Sequence, residues 1–351
     1  QVFHASLCPL GHGGYMKVTF KSKGGRMKLR FIITLLLISV FITPITWASS
    51  FSGMYVFGDS LSDQGNFFTI SSTTPQFEPT PPLEYSDGTN FGRFTNGLNY
   101  IDYLSTELGV PSTPVVTGGT NFAYGGARMT THPYLPFGSL WDQYNQYLAL
   151  GISDPGALYV VWAGANDLAD FLISGGQTPG PIDSLAILIS VVDGLALSGA
   201  KNILVPNIPD LGIVPMIMSG GMRNQVATDL TESFNEGLEL GVSSLEALYA
   251  DVNFIRFDTF SILNQIFADP ESAGFTNVHD AAYSEFVEPG GAVVPNPEKY
   301  LSWDGFHPTT AAHQIIAGQM ARAVVPEPAT MLLFGFGLLS MAGVSRRKKT
   351  T

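Results

Sequence analysis

The 351 residues carry 29 Asp and Glu against 17 Lys and Arg, a formal charge of −12 at pH 7, and 45% of them are hydrophobic. The imbalance deepens between residues 49 and 325, which keep seven of the basic residues and all but one of the acidic ones, and such a surface repels phosphate backbones and argues against nucleic acid as a partner. The single cysteine, Cys8, rules out a disulfide framework and a cysteine nucleophile in the body of the chain.

Residues 1–26 contain no acidic group and no sustained apolar period, and they are set aside as a leader outside the fold. Lys28 and Arg30 then precede an apolar run over 31–42, and Thr46-Trp47-Ala48 offers small residues for cleavage, which predicts a signal peptide over 27–48. The run is shorter than the ~20 residues that span a bilayer. Residues 49–324 show no repeat and no linker, and their number suffices for one α/β core without disulfides.

Inside that domain Met54-Tyr55-Val56-Phe57 reads as the first strand. Residues 71–90, rich in Ser, Thr, Pro, Asp and Asn, read as a surface loop near the site. After Asn96, a candidate cap, Leu98, Ile101, Leu104 and Leu108 have helical spacing. A short strand then reaches Ala123 and delivers Gly125 and Gly126. The apolar run over 157–163 suits a strand buried on both faces, and it ends in Gly164-Ala165-Asn166-Asp167. A helix over 182–197, a strand over 203–205, a helix over 223–249 and a strand over 252–257 follow, and Pro308 opens a last helix to Ala323. Strands alternating with helices of this length predict βαβ units and a mainly parallel sheet covered on both faces.

Four segments carry chemistry. Ser60 stands just past the first strand, in Gly58-Asp59-Ser60-Leu61-Ser62-Asp63-Gln64-Gly65-Asn66, and open parallel sheets bind their ligands at that end. A serine hydroxyl is a weak nucleophile until a base, an orienting acid and oxyanion donors assist it. Trp303-Asp304-Gly305-Phe306-His307 supplies an acid and a base three residues apart, and Asn121-Phe122-Ala123-Tyr124-Gly125-Gly126 and Gly164-Ala165-Asn166 supply donors. A lone Gly/Asp/Ser cluster is an ordinary turn, whereas four such blocks in one order are specific.

That ordered set resembles the GDSL, or SGNH, hydrolases. Gly92-Arg93-Phe94-Thr95-Asn96-Gly97, Pro206-Asn207-Ile208-Pro209-Asp210-Leu211-Gly212 and Phe234-Asn235-Glu236-Gly237-Leu238 resemble the branch of secreted GDSL lipases, lecithinases and esterases, over residues 52–323. The resemblance implies a three-layer α/β/α, flavodoxin-like fold, a triad of Ser60, Asp304 and His307, and an oxyanion hole formed by the N–H groups of Ser60 and Gly126 and the side-chain amide of Asn166. Sequence alone leaves open whether Gly125 or Gly126 donates, and the family's spacing from Asn121 favours Gly126. It implies no cofactor and no metal, and a secreted serine esterase or lipase acting on lipid, phospholipid or short-chain esters. An acetyl esterase on extracellular polysaccharide, or a polysaccharide-binding protein on the same fold, stands as the alternative.

Competing readings are weaker. Position 62 is serine, so the Gly-x-Ser-x-Gly elbow of an α/β-hydrolase is not indicated. Asp59, Asp63 and Asn66 depart from a calcium loop at Leu61 and Gln64, and Asp63 and Asn66 are expected to fix the serine loop through backbone hydrogen bonds. His132 and His279 read as surface residues, and nothing supports a role for His313. Phe67, Phe68, Phe91, Tyr124, Phe171 and Phe306 are candidates for an apolar acyl groove, against ordinary core packing.

Residues 325–351 form a separate signal. Val325-Pro326-Glu327-Pro328, an apolar stretch over 329–344 and Arg346-Arg347-Lys348-Lys349 resemble the PEP-CTERM sorting tail of Gram-negative bacteria. The resemblance implies transient membrane contact, removal by an exosortase-type protease, and a secreted, cell-surface or matrix location. The opposing reading is a permanent anchor, for which about 24 Å of apolar helix is short against a ~30 Å hydrocarbon core.

Overall fold

The computed structural model describes residues 51–176, 180–218, 223–284 and 291–325. The expected leader, signal peptide and sorting tail lie outside the described residues, apart from Val325. Four strands, β1 (Met54–Gly58), β2 (Leu158–Trp162), β3 (Asn202–Pro206) and β4 (Asn253–Phe257), form a sheet in the order β1-β2-β3-β4 with every pairing parallel. Residues 120–124 run along the free side of β1, where the N–H groups of Val56, Phe122 and Tyr124 bond to the carbonyls of Thr120, Val56 and Gly58. The expected short strand to Ala123 is therefore an extended segment joined to β1 by one isolated bridge. Counting it, the spatial order is 2-1-3-4-5, the flavodoxin-like arrangement.

Strand burial explains the three layers. Side chains alternate across a strand, so Tyr55 and Phe57 enter one apolar cluster with Tyr159, Val161, Ile203 and Val205, while Met54 and Val56 enter another with Leu158, Val160 and Leu204. Both faces are apolar because helices cover both. The first cluster is closed by α3 (Leu140–Ala149), α5 (Pro181–Leu197) and α6 (Gln225–Leu248), the second by α2 (Tyr100–Leu108), α7 (Thr259–Ala268) and α8 (Thr310–Val324). Between α7 and α8 two short sheets form, one of β5 (Asn277–Ala281) with β8 (Tyr300–Ser302), the other of β6 (Tyr283–Ser284) with β7 (Ala292–Val293).

The helices expected near 98–108, 182–197, 223–249 and 308–323 are α2, α5, α6 and α8. Asn99, rather than Asn96, caps α2, accepting from the N–H groups of Ile101 and Asp102 while Asp102 accepts from the N–H of Asn99. Among helices without a sequence expectation, α1 (Asn66–Thr73) runs into the stretch read as loop, whose remainder to residue 90 carries no regular element. Helix α3 is opened by a reciprocal Ser139–Asp142 box, and α4 (Ala165–Ile173) begins one residue before Asn166. Among the described residues no helix is long and apolar enough to cross a membrane.

Candidate active site

Ser60, Gly126 and Asn166 follow the carboxyl ends of β1, the 120–124 segment and β2, and α8 and its preceding turn carry His307 to the same end of the sheet. The serine loop is wound by its own acids. Asp59 accepts the N–H groups of Ser62 and Asp63 at its carbonyl and that of Leu61 at its carboxylate. Asp63 accepts from the N–H groups of Gly65, Asn66 and Phe67, and then reaches across to the N–H of Gly125 at 2.8 Å. Asp63 thus fixes the serine loop as expected, while Asn66 donates to the carbonyls of Asn121 and Ala123, so the two loops are also stitched together.

That stitching treats the two glycines differently. The N–H of Gly125 is committed to Asp63, whereas the N–H groups of Gly126 and Ser60 have no acceptor among the described residues. Glycine is required at 126 by its φ of +83° and at 125 because a Cβ would stand 2.1 Å from the Phe94 ring. The close approach is to Phe94, itself tilted against the His307 ring at 5.3 Å. Asn166, in the first turn of α4, donates one amide N–H to the carbonyl of Ala127 at 3.0 Å and has a second to offer.

Ser60 Oγ lies 2.8 Å from His307 Nε2, and His307 Nδ1 lies 2.7 Å from Asp304 Oδ2. A carboxylate only accepts, so Nδ1 carries the hydrogen and Nε2 is left to accept from Ser60. Asp304 Oδ1 accepts the N–H groups of Phe306 and His307 at 2.7 and 2.6 Å. Burial works to raise the Asp304 pKa, yet the His307 charge and these hydrogen bonds prevail and hold it below the usual carboxylate range. Asp59, beside the serine, goes the other way, since burial pushes it up to about 6 against the N–H of Leu61 and the nearby His307.

Two side chains join this constellation without a signal in the sequence. Tyr85, from the polar loop, donates its hydroxyl to Asp304 Oδ2 at 2.7 Å and packs edge-on against Tyr283 and Trp303. His132, expected at the surface, is half-buried; its Nδ1 accepts the N–H groups of Tyr134 and Leu135, and its Nε2 is left to donate to the carbonyl of Gly125 at 2.8 Å. A histidine in loop-like sequence gives no warning of such a brace. His279 is exposed against Phe267, and His313 is buried on α8 beside Tyr100.

A cavity of about 190 Å³ opens beside Ser60, Gly126, Asn166 and His307. Of the six aromatic residues proposed for an acyl groove only Phe306 lines it; Phe67 and Tyr124 pack into a separate cluster and Phe91 is exposed. Its walls are instead Phe94, Trp162 and aliphatic residues such as Leu211, Ile213 and Leu263. Among the described residues no group of three or more His, Cys, Asp or Glu is arranged to hold a metal ion.

The profile of the GDSL-like lipase/acylhydrolase family matches residues 54–320. The chain belongs to that family. The match brackets the serine loop, both donor loops and the Asp304–His307 turn, and the family makes the protein an ester-hydrolysing serine hydrolase. Among relatives of this GDSL hydrolase, a GDSL esterase/lipase of Arabidopsis thaliana is 28% identical over 83% of this chain and 92% of its own length. Lipase 1 of Photorhabdus luminescens is 26% identical over 88% of this chain, which spans 55% of that longer protein. An acetylxylan esterase structure from Geobacillus stearothermophilus aligns with 80% of this chain and 97% of its own at 14% identity and a TM-score of 0.45, too distant a likeness to bear on substrate. Residues 324–348 match the PEP-CTERM protein-sorting motif.

The further family-like blocks tie the site's loops. Thr95 donates to the carbonyl of Pro308, and Asn96 accepts the N–H of Thr310, so the 92–97 block holds the start of α8 behind His307. Asn235 exchanges two hydrogen bonds with the backbone of Ile208, and Asp210 accepts from Gly212, Thr228 and Arg223, which shapes the cavity wall at Leu211.

Proposed function

We propose that the protein hydrolyses carboxylic esters through an acyl-enzyme on Ser60. What carries the reading is the unbroken relay from Ser60 Oγ through His307 to Asp304, at 2.8 and 2.7 Å, beside a small apolar cavity. His307 Nε2 takes the Ser60 proton as the hydroxyl attacks the ester carbonyl, and Asp304 steadies the imidazolium. The N–H groups of Ser60 and Gly126 and the free amide hydrogen of Asn166 receive the oxyanion. His307 then returns the proton to the departing alcohol, and a water activated by the same nitrogen releases the acid. The 324–348 motif supports export, recognition by an exosortase-type protease and a surface or extracellular destination in a Gram-negative bacterium.

Ser60→Ala and His307→Ala test the assignment. Each is expected to remove nearly all activity on a soluble ester, and the double variant to be scarcely worse than either, because residues acting in one step are non-additive. Each variant's fold is checked by circular dichroism. Parent-like turnover by folded Ser60→Ala overturns the nucleophile.

A further inference from the structure

Two cavities meet at His307, and they differ in size, lining and access to the serine. The smaller, of about 190 Å³, has Ser60, Gly126 and Asn166 at its rim. Its inner wall is Trp162, Ile213, Leu263, Leu301 and Ile316, each 6% exposed or less, so on that side the cavity ends in core. The larger, of about 600 Å³, is lined by Tyr85, Tyr134, Tyr283, Pro82 and Met216 together with Asp304 and His307, and Ser60 is not part of it. Phe94 and Phe306 stand between the two and line both.

The chemistry assigns a half of the substrate to each. When Ser60 Oγ adds to an ester carbonyl, the C–O bond to the alcohol must later break with its proton supplied by His307 Nε2, so the leaving oxygen faces His307. The oxyanion faces the N–H groups of Ser60 and Gly126 and the amide of Asn166, which rim the smaller cavity. The alcohol therefore departs over His307 into the larger cleft, and the acyl chain occupies the smaller one. An apolar cavity of ~150 Å³ accommodates a benzene molecule, so about 190 Å³ of largely apolar space backed by that wall holds an acyl tail of roughly six carbons.

We propose that the substrates are short-chain acyl esters of bulky alcohols, with acyl length capped at about six carbons by the wall of Trp162, Leu263 and Ile316. The proposal rests on the esterase reading above and adds the substrate class.

The test is an acyl series, 4-nitrophenyl acetate to dodecanoate, on the full-length protein. While the tail is inside the cavity, kcat/KM is expected to rise by up to about fourfold per methylene. Beyond hexanoate it is expected to fall roughly tenfold or more by decanoate, as chain that does not fit must force the wall apart. Dodecanoate cleaved as fast as hexanoate overturns the cap while leaving the esterase intact, whereas no cleavage at any length by folded protein overturns both. Leu263→Ala is expected to move the cut-off to longer acyl chains, and an unmoved cut-off in a folded variant removes Leu263 from the wall. Should that variant fail to fold, the parent series decides alone. A pH-stat comparison of benzyl with methyl butyrate tests the alcohol half: benzyl is expected to be preferred severalfold, and a preference for methyl overturns it.

Discussion

Asp304 is where single atoms matter most. Its Oδ2 receives both the His307 ring and the Tyr85 hydroxyl at 2.7 Å, so Tyr85 is a positioning residue that acts through the acid. Tyr85→Phe keeps the aromatic packing and deletes one donor. A hydrogen bond to a charged group contributes about 1.5–3 kcal/mol, only part of which differs between ground and transition state, so kcat is expected to fall about tenfold with KM little changed. Parent kcat in a folded variant leaves Tyr85 as packing alone. Asn166→Ala probes the other side of the carbonyl: loss of one oxyanion donor costs roughly 2.7–4 kcal/mol, 10²–10³ in kcat, with KM nearly unchanged. An unaltered turnover number removes Asn166 from the oxyanion hole.

At the scale of elements, loops at the ends of rigid strands are held by side chains far away in sequence. Helix α4 shows what this costs, because its first turn brings Asp167 into the interior beside Asn166. Asp167 Oδ1 accepts the Met129 N–H and the Ser184 hydroxyl, while Oδ2 is buried with no hydrogen-bond partner among the described residues. Burial pushes its pKa up to about 6, opposed by those bonds and by Arg128. The folded protein thus holds a proton on Asp167 to higher pH than the unfolded chain does. The associated stability is present below pH ~4 and is lost as pH rises through about 6, an expected loss of at most about 3 kcal/mol. Asp167→Asn keeps the size and one acceptor but cannot ionise. Its Tm relative to the parent is therefore expected to improve steadily between pH 4 and 7. A difference that stays constant across this range would show that Asp167 ionises in the fold without penalty.

For the whole molecule, an apolar sheet interior and an acidic exterior fit a stable chain without disulfides, and the sorting motif bears on where it works. The motif match begins at residue 324, where α8 ends. Protein from the native host is expected to lack both the 27–48 segment and the tail beyond the Pro-Glu-Pro motif, as read by intact mass. Membrane-bound protein that retains Met331 through Thr351 would instead make the tail a permanent anchor.

Sequence by itself determined the four strands of the main sheet and the candidates for the chemistry. Buried parallel strands are near-continuous apolar runs, and a serine, an Asp–His pair and two donor loops at strand ends are written in contiguous residues, so the layers and the candidates Ser60, Asn166, Asp304 and His307, with the Gly125–Gly126 pair, were legible. Short helices such as α4 were not, because nine residues beginning beside a glycine show too little of the helical period to be distinguished from a loop. Nor were the contacts of Tyr85 with Asp304, His132 with Gly125, and Asp63 with Gly125, each joining separate loops with no local pattern linking them. The acyl cavity escaped for the same reason: its wall is assembled from β2, the turn after β3, α7, β8 and α8, and only closure of the sheet and its helices brings those residues around one space.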